Sequence, residues 1–528
     1  MSAGTPATWS YILIRLLFKF VLKIFYGTIV IENANLIPED GHPCIVTANH
    51  SNSLTDALLM VTSRRKMLRL TAKATQFGRG TFTSWLIESA GTVPLKRAKD
   101  YPDGKVDNSE VMLKLMEALE AGDAVCLFPE GMSRYHPSIA PMKTGVARLV
   151  SDVLSRNRDD PDFKISILPC SVTYMHRQHF RSDVLVSFHE PMTFRPNEDP
   201  ELLAPVDFTN IRELTAKLHN TISSGTLDAP SWDMARTAKL AARIYAPLGT
   251  QMSLGEYVRV TQRFLDAFKS KEVMADELDD LQHDLKVNFF FLTPFRDFTS
   301  LQLYQDQLVQ WGIKDDRVRR PLPRHTILYR MSIRLPWALF LFLLCLPGLT
   351  LWLPVFLATF IAVHNFKKTG PIFDTWDEIA QYKLVYGLFS GLGVWALAVL
   401  LTLPCAALTF VAVPVVMWMG LRWFEDAVAS FRAFTALLRL LKVGKPTLEA
   451  MRERRAGLHE RIMWLAKEID LPEDPEEHFR SAGGREKGRI MGKWDAKARY
   501  FSLKRRRKRD WNETLRLYDK VDYPAEDY

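Results

Sequence analysis

Two stretches of this chain contain no Asp, Glu, Lys, Arg or His: 29 residues between Arg334 and His364, and 38 between Lys383 and Arg422. A helix needs about 20 such residues to cross the hydrocarbon core of a bilayer. Backbone in lipid must satisfy its own N–H and C=O groups, so a run of this kind is helical. The longer run suits one tilted helix or a hairpin broken at Leu403-Pro404, and the shorter one, with Pro336, Pro347 and Pro354, could also fold back. Unless just one run doubles back, the regions flanking this block share a face of the membrane.

At 528 residues the chain exceeds one core. The pattern predicts an interfacial amphipathic helix over 1–27, an α/β domain over 28–204, a helical region over 205–332, a membrane block over 333–421 and a charged, partly disordered helical tail over 422–528. In the first segment Arg15, Lys19 and Lys23 recur every four residues, and Ile12, Leu16, Phe20 and Ile24 lie about 100° around from them. A spanning helix would bury three cations, whereas a helix in the headgroup plane buries none. A core helix whose basic side chains reach out to water is the alternative. The formal charge is +9, and "KRRRKR" occupies 504–509. Beside membrane spans such a run predicts attraction to anionic lipid, about 1 kcal/mol per basic residue, rather than to nucleic acid. Positive charge also places the tail and the N-terminal region on the cytosolic side. Cys44, Cys126, Cys170, Cys345 and Cys405 have no paired spacing and sit in apolar runs. They predict buried thiols in a reducing compartment, not disulfides or metal ligands. No secretory signal is visible at the start.

From 28 to 190, strand-like runs ("TIVIEN", "PCIVTAN", "AGTVPL", "DAVCLFP", "FKISILPCSVTY", "DVLVSF") alternate with helical stretches. The alternation predicts a mostly parallel sheet wrapped by helices, with active groups on loops at the carboxyl ends of strands. His50, Arg97 and Glu130 each follow a candidate strand. Five residues separate His50 from Asp56 in "HSNSLTD", a turn that can set a carboxylate against one imidazole nitrogen and leave the other to take a proton. The same spacing also suits an Asp capping the following helix and a His satisfying a turn. "GTVPLKR" ends in Lys96 and Arg97; "FPEGMSR" turns at Glu130-Gly131 and adds Ser133 and Arg134; "PMKTG" brings Lys143 ahead of a helix. Cations repeated at strand exits suit the oxygens of a phosphate. There is no Walker A loop, dinucleotide glycine fingerprint or metal-ligand spacing, so neither a cofactor nor a metal is expected.

Taken in order, "NH…D" (Asn49, His50, Asp56), "GTVPLKR", "FPEG" and "ILPCSVTY" resemble the four blocks of the glycerolipid acyltransferase (PlsC-like) superfamily. The "VPLKRAKD" form of the second block and the five-residue His–Asp gap are most similar to the fungal-type glycerol-3-phosphate/dihydroxyacetone phosphate acyltransferases. "AARIYAPLG" and "FEDAVASFRAF" extend the likeness. About thirty residues, 98–127, separate the second and third blocks, where that branch carries a longer insertion. The resemblance implies that His50 is the general base and Asp56 its orienter. It implies that Arg97, Glu130 and Gly131 bind the glycerol phosphate and that Pro169 belongs with the acyl donor. Lys96, Ser133, Arg134 and Lys143 join these as candidate substrate ligands. The expected activity is acyl transfer from acyl-CoA, a co-substrate, to the sn-1 hydroxyl of glycerol 3-phosphate or dihydroxyacetone phosphate, on endoplasmic-reticulum lipid membranes. A lysophosphatidate-type acyltransferase and a catalytically silent lipid-binding scaffold are the alternatives.

Overall fold

The computed structural model describes residues 5–38, 41–63, 67–78, 80, 82–96, 106–177, 179–246, 250, 252–285, 293–313, 315–319, 322–369 and 378–482. Arg97 and the basic run at 504–509 lie outside the described residues. The chain divides into two units. One comprises 1–228, 371–384 and 488–490; the other comprises 229–370, 385–487 and 491–528.

The first unit opens with α1 (Trp9–Phe25), started by Thr8, whose hydroxyl accepts from the Tyr11 amide. There follow β1 (Thr28–Glu32), β2 (Cys44–Ala48), α2 (Ser53–Ser63), β3 (Leu68–Lys73), α3 (Phe82–Ser89), β4 (Val93–Leu95), α4 (Ser109–Glu120), β5 (Ala124–Leu127), α5 (Gly145–Arg156), β6 (Ile165–Tyr174), β7 (Asp183–Phe188), β8 (Met192–Phe194) and α6 (Phe208–Ser224). The strands form one sheet in the order β1-β7-β6-β2-β5-β3-β4, with β8 added on β6. Five pairings are parallel; β6–β7 and β6–β8 are antiparallel. This is the mostly parallel, helix-wrapped sheet expected. β3 and β8 were not among the expected strands. β3 carries Arg69 and Lys73 and buries only its first residue, and β8 is three residues long, so neither shows an apolar run.

β2, "CIVTA", is buried along its whole length between β5 and β6, as a central strand covered on both faces must be. Against one face α5 turns Val146, Leu149, Val150, Val153 and Leu154, which share one side of a 3.6-residue helix. They pack with Ile45, Val125, Ile165 and Ile167, and each fully buried branched side chain contributes roughly 1.5–3 kcal/mol. Ile211, Leu214, Leu218 and Ile222 of α6 join the same core, so the sheet unit runs past residue 204 to Asp228.

α1 combines both readings of its sequence. Tyr11, Ile14, Phe18, Leu22 and Phe25 are buried, while Trp9, Ile12, Leu13, Leu16 and Phe20 are exposed. One face is core and the other a second apolar surface, which a helix facing only water would not keep.

The second unit contains α7 (Trp232–Tyr245), α8 (Leu254–Leu285), α9 (Thr293–Trp311), α10 (Asp315–Arg319), α11 (Arg324–Thr369), most of α12 (Ile379–Leu401), α13 (Ala406–Val443), α14 (Lys445–Glu468) and α15 (Pro475–Ser481). Three of these helices are long and apolar enough to cross a membrane, over Arg324–Lys368, Ile379–Leu401 and Leu403–Val443, and the chain is a membrane protein. α11 stays unbroken through its three prolines, whereas the longer run doubles back at a 3-10 turn, Leu403–Cys405. α11 and α13 pair antiparallel: Gly348 lies against Gly420, and the Trp352 indole donates to the Met417 carbonyl at 2.8 Å. Pro414 lacks the N–H that Phe410 O would accept in an unbroken helix. The Trp395 indole supplies that bond at 3.0 Å. One run doubling back is the case in which full crossings part the flanks, yet α10 and α14, on either side of the block, contact each other. Four cysteines are buried as expected; Cys405 is exposed, in the 3-10 turn Leu403–Cys405, which buries none of its residues.

Candidate active site

Parallel pairing of β2 with β5 and β6 brings three chain exits together. The chain leaves β2 through Asn49, whose side chain bonds both backbone groups of Val172 on β6: Nδ2 donates to the carbonyl at 3.0 Å and Oδ1 accepts from the amide at 2.7 Å. This mimics a further rung of sheet and fixes the start of the next turn. In that turn Asp56, fully buried, opens α2, and its Oδ2 accepts from the Ser51 and Asn52 amides at 2.9 and 2.8 Å. The same oxygen lies 2.9 Å from His50 Nδ1. One carboxylate therefore both holds the turn before the helix and lies against the imidazole. Its other oxygen, Oδ1, accepts from the Tyr174 hydroxyl at 2.5 Å.

Holding Nδ1 against Asp56 makes it the protonated nitrogen and gives the lone pair to Nε2. The imidazole is 19% exposed beside a carboxylate that is not exposed at all, so the proton-accepting edge can meet a substrate. Phe128, just past β5, stacks on the ring with centroids 4.2 Å apart and planes 19° apart. Two residues on, Glu130 ties the turn from behind. Its Oε1 accepts from the His50 amide at 2.6 Å and its Oε2 from the Ala140 amide at 3.0 Å. Burial pushes the Glu130 carboxyl up, and the two amides oppose that without cancelling it.

The other expected residues divide. Gly131 takes φ +74°, where a side chain is strained, and a Cβ there would meet Lys143 Nζ at 2.7 Å; Lys143 lies across the glycine. The Lys143 amide donates to Pro129 O at 2.8 Å, closing the loop. The Arg134 amide donates to His50 O at 3.3 Å, and its Nε is buried without a hydrogen-bond partner among the described residues. Ser133 sits in the same turn. Pro169 is buried in β6, in register with Thr47 of β2, three residues before His50. Lys96 is exposed at the end of β4, its backbone is bound by the Asn108 side chain, and its charge acts on Asp107 and Glu110. The structure does not bring Lys96 to the dyad, and Arg97 lies outside the described residues. Among the described residues no cluster of His, Cys, Asp or Glu is placed to hold a metal.

Sequence reasoning missed Tyr174, the stacking Phe128 and the tether role of Glu130. Only Phe128 and Glu130 gave a signal, as the residues directly following a strand that pairs with the one before His50.

Residues 28–173 match the family model described as Acyltransferase. An uncharacterized acyltransferase of Schizosaccharomyces pombe is 28% identical over 54% of this chain and 40% of its own length. Glycerol-3-phosphate O-acyltransferase 2 of Saccharomyces cerevisiae is 26% identical over 54% of this chain and 37% of its own. The chain thus spans well under half the length of these relatives. A crystal structure of the 1-acyl-sn-glycerophosphate (LPA) acyltransferase PlsC from Thermotoga maritima aligns at 20% identity with a TM-score of 0.30, over 41% of this chain and 77% of that one. The domain at residues 28–173 thus matches the acyltransferase family, and the chain is similar to glycerol-3-phosphate O-acyltransferase 2 of Saccharomyces cerevisiae.

Proposed function

We propose that this chain transfers an acyl group from acyl-CoA to the sn-1 hydroxyl of glycerol 3-phosphate or dihydroxyacetone phosphate. The observation that carries the reading is the His50–Asp56 dyad, its imidazole 19% exposed, with Arg134, whose amide bonds His50 O, keeping a buried Nε without a partner among the described residues. The Saccharomyces cerevisiae relative with glycerol-3-phosphate O-acyltransferase in its name supports the acceptor class.

In this mechanism the acceptor hydroxyl lies against His50 Nε2 and gives up its proton as its oxygen attacks the thioester carbonyl. Asp56 stabilises the imidazolium that forms. Collapse of the tetrahedral intermediate breaks the C–S bond, and the imidazolium returns the proton to the departing thiolate. A positioned base of this kind contributes about 10²–10⁴ in rate. The acceptor's phosphate lies on the Arg134 guanidinium and on the Lys143 ammonium, for whose side chain Gly131, lacking a Cβ, leaves room. Ser133 completes that grip, Lys96 adds positive charge farther out, and Pro169 lines the donor side; by its sequence likeness Arg97 is a further candidate phosphate ligand. Glu130 serves by holding the His50 amide. Acyl-CoA is the co-substrate. The exposed apolar face of α1 rests on lipid, and with the polybasic run this supports a catalytic unit and tail on the cytosolic face of the endoplasmic reticulum.

The test is acyl transfer from labelled acyl-CoA by full-length protein and by His50→Ala. Equal rates overturn the base assignment. An acceptor panel decides the substrate: coenzyme A release with lysophosphatidate but not with glycerol 3-phosphate or dihydroxyacetone phosphate overturns the acceptor.

A further inference from the structure

Tyr174 ends β6, 118 residues from Asp56 in sequence, and its ring is buried. Its hydroxyl donates to Asp56 Oδ1 at 2.5 Å, while Oδ2 already receives three donors: His50 Nδ1 and the amides of Ser51 and Asn52. Each Asp56 oxygen is thus committed to one side of the turn. The carboxylate cannot rotate about its Cβ–Cγ bond without losing all four bonds. Tyr26 supports the arrangement from the end of α1, its ring 5.9 Å from that of Tyr174 and its hydroxyl accepting from Asn52 Nδ2 at 3.3 Å.

We infer that Tyr174 is a positioning residue of this centre: its hydroxyl pins Asp56 so that a single oxygen faces His50, and by donating to the carboxylate it limits how strongly the dyad holds a proton. The inference rests on the proposed role of His50 as base. A carboxylate that accepts a further hydrogen bond is a weaker base, and an imidazole against it is released from its proton at lower pH. Among the described residues, Glu130, Cys126 and Cys170 interact with Asp56 through charge, and Tyr26 and Arg177 act on Tyr174. Burial pushes the Cys126, Cys170 and Tyr174 protons well above neutral pH, so none of the three changes charge in the working range.

Full-length protein in lipid nanodiscs carries the test, with kcat, acceptor KM and the pH profile of kcat/KM measured for wild type, Tyr174→Phe and His50→Ala. Tyr174→Phe removes one oxygen and keeps the ring. Its kcat falls about tenfold, its acceptor KM is unchanged, and its acid limb moves up by about one pH unit. 3-Fluorotyrosine at position 174 keeps the bond but makes a more acidic donor, so its acid limb moves down; this readout survives even if Tyr174→Phe fails to fold. A chemically equal loss at another buried tyrosine–aspartate bond, Tyr304→Phe, lowers thermal stability and leaves the profile in place. A Tyr174→Phe profile that overlays the wild type, or one that shifts down, overturns the inference; if that variant does not fold, an unmoved or raised limb with fluorotyrosine does so. Should His50→Ala keep full activity, the base assignment itself falls. Should it lose activity while the Tyr174 variants leave the profile unmoved, only the tyrosine role falls.

Discussion

Asp56 in the sheet unit and Asp315 in the helical unit are both fully buried, and both accept a tyrosine hydroxyl, from Tyr174 at 2.5 Å and Tyr304 at 2.8 Å. They part in what meets their remaining lone pairs. Asp315 takes Arg455 Nε at 2.8 Å and Arg319 Nε at 2.9 Å, two groups that keep their charge at any working pH. Burial pushes the Asp315 carboxyl up, but Arg319, Arg455 and Arg243 outweigh it and hold it below the ordinary range. Asp56 meets an imidazole and backbone amides instead. These partners bring it no permanent positive charge, and one of them, the imidazole, is a group that can gain or lose a proton. The first arrangement is a clamp. The second is a site where proton transfer alters the local charge, which is what a general base requires.

The widest gap between the two follows from taking the charge away from each. Asp56→Asn presents an amide to donors that need an acceptor, and it allows the imidazole to carry its proton on Nε2, the wrong nitrogen for a base. Its kcat falls by about 10²–10⁴, with a much smaller change in melting temperature. Single-turnover acyl transfer on protein of verified fold measures this.

Asp315→Ala sends the loss to the other quantity. Two buried guanidinium groups lose their counter-charge, which costs about 3–5 kcal/mol of stability, while kcat per folded molecule stays within about twofold because the two clusters share no partner. The pH dependence has a definite sign. A depressed folded pKa means that below 3.8 the unfolded chain binds more protons than the native one. The contribution of Asp315 is therefore complete above 3.8 and disappears as pH falls through the native value. The wild-type-to-Ala difference in unfolding free energy should shrink below that pH and nowhere above it. Replacing Asp315, Arg319 and Arg455 together by Leu, Met and Met should restore stability to within about 1 kcal/mol of wild type or exceed it. No apolar set could do the same for Asp56 and His50 and leave activity.

What the sequence could display of these centres follows from distance along the chain. His50 and Asp56 lie in one turn and the alternation of strands and helices is local, so the dyad, the parallel sheet and the break at Leu403-Pro404 were all readable as patterns. Tyr174 meets Asp56 across 118 residues, Asn49 meets Val172 across 123 and Arg455 meets Asp315 across 140. No periodicity encodes such pairs, because they arise only when the sheet or the helical bundle closes. The second face of α1 was hidden for a related reason: helix periodicity tells which residues share a side, not which side meets protein and which meets lipid.

Glu130 is a third buried carboxylate and sharpens the contrast at the smallest scale, since among the described residues its hydrogen bonds go to backbone amides and not to an arginine. Among the described residues its oxygens accept from the His50 and Ala140 amides, and burial raises its folded pKa above 4.5. Between 4.5 and that raised value the native state binds more protons than the unfolded chain, so wild-type stability declines as pH rises through this window. Glu130→Gln has no proton to lose and shows no such slope. Its amide can accept from one backbone N–H only, a loss of about 1 kcal/mol. The variant should thus be less stable than wild type at pH 4.5, and the difference should close as pH increases. Chemical unfolding across that range measures it. A difference that widened with pH would mean that Glu130 is held as a charge-stabilised anion in the manner of Asp315, and that its amide bonds outweigh its burial.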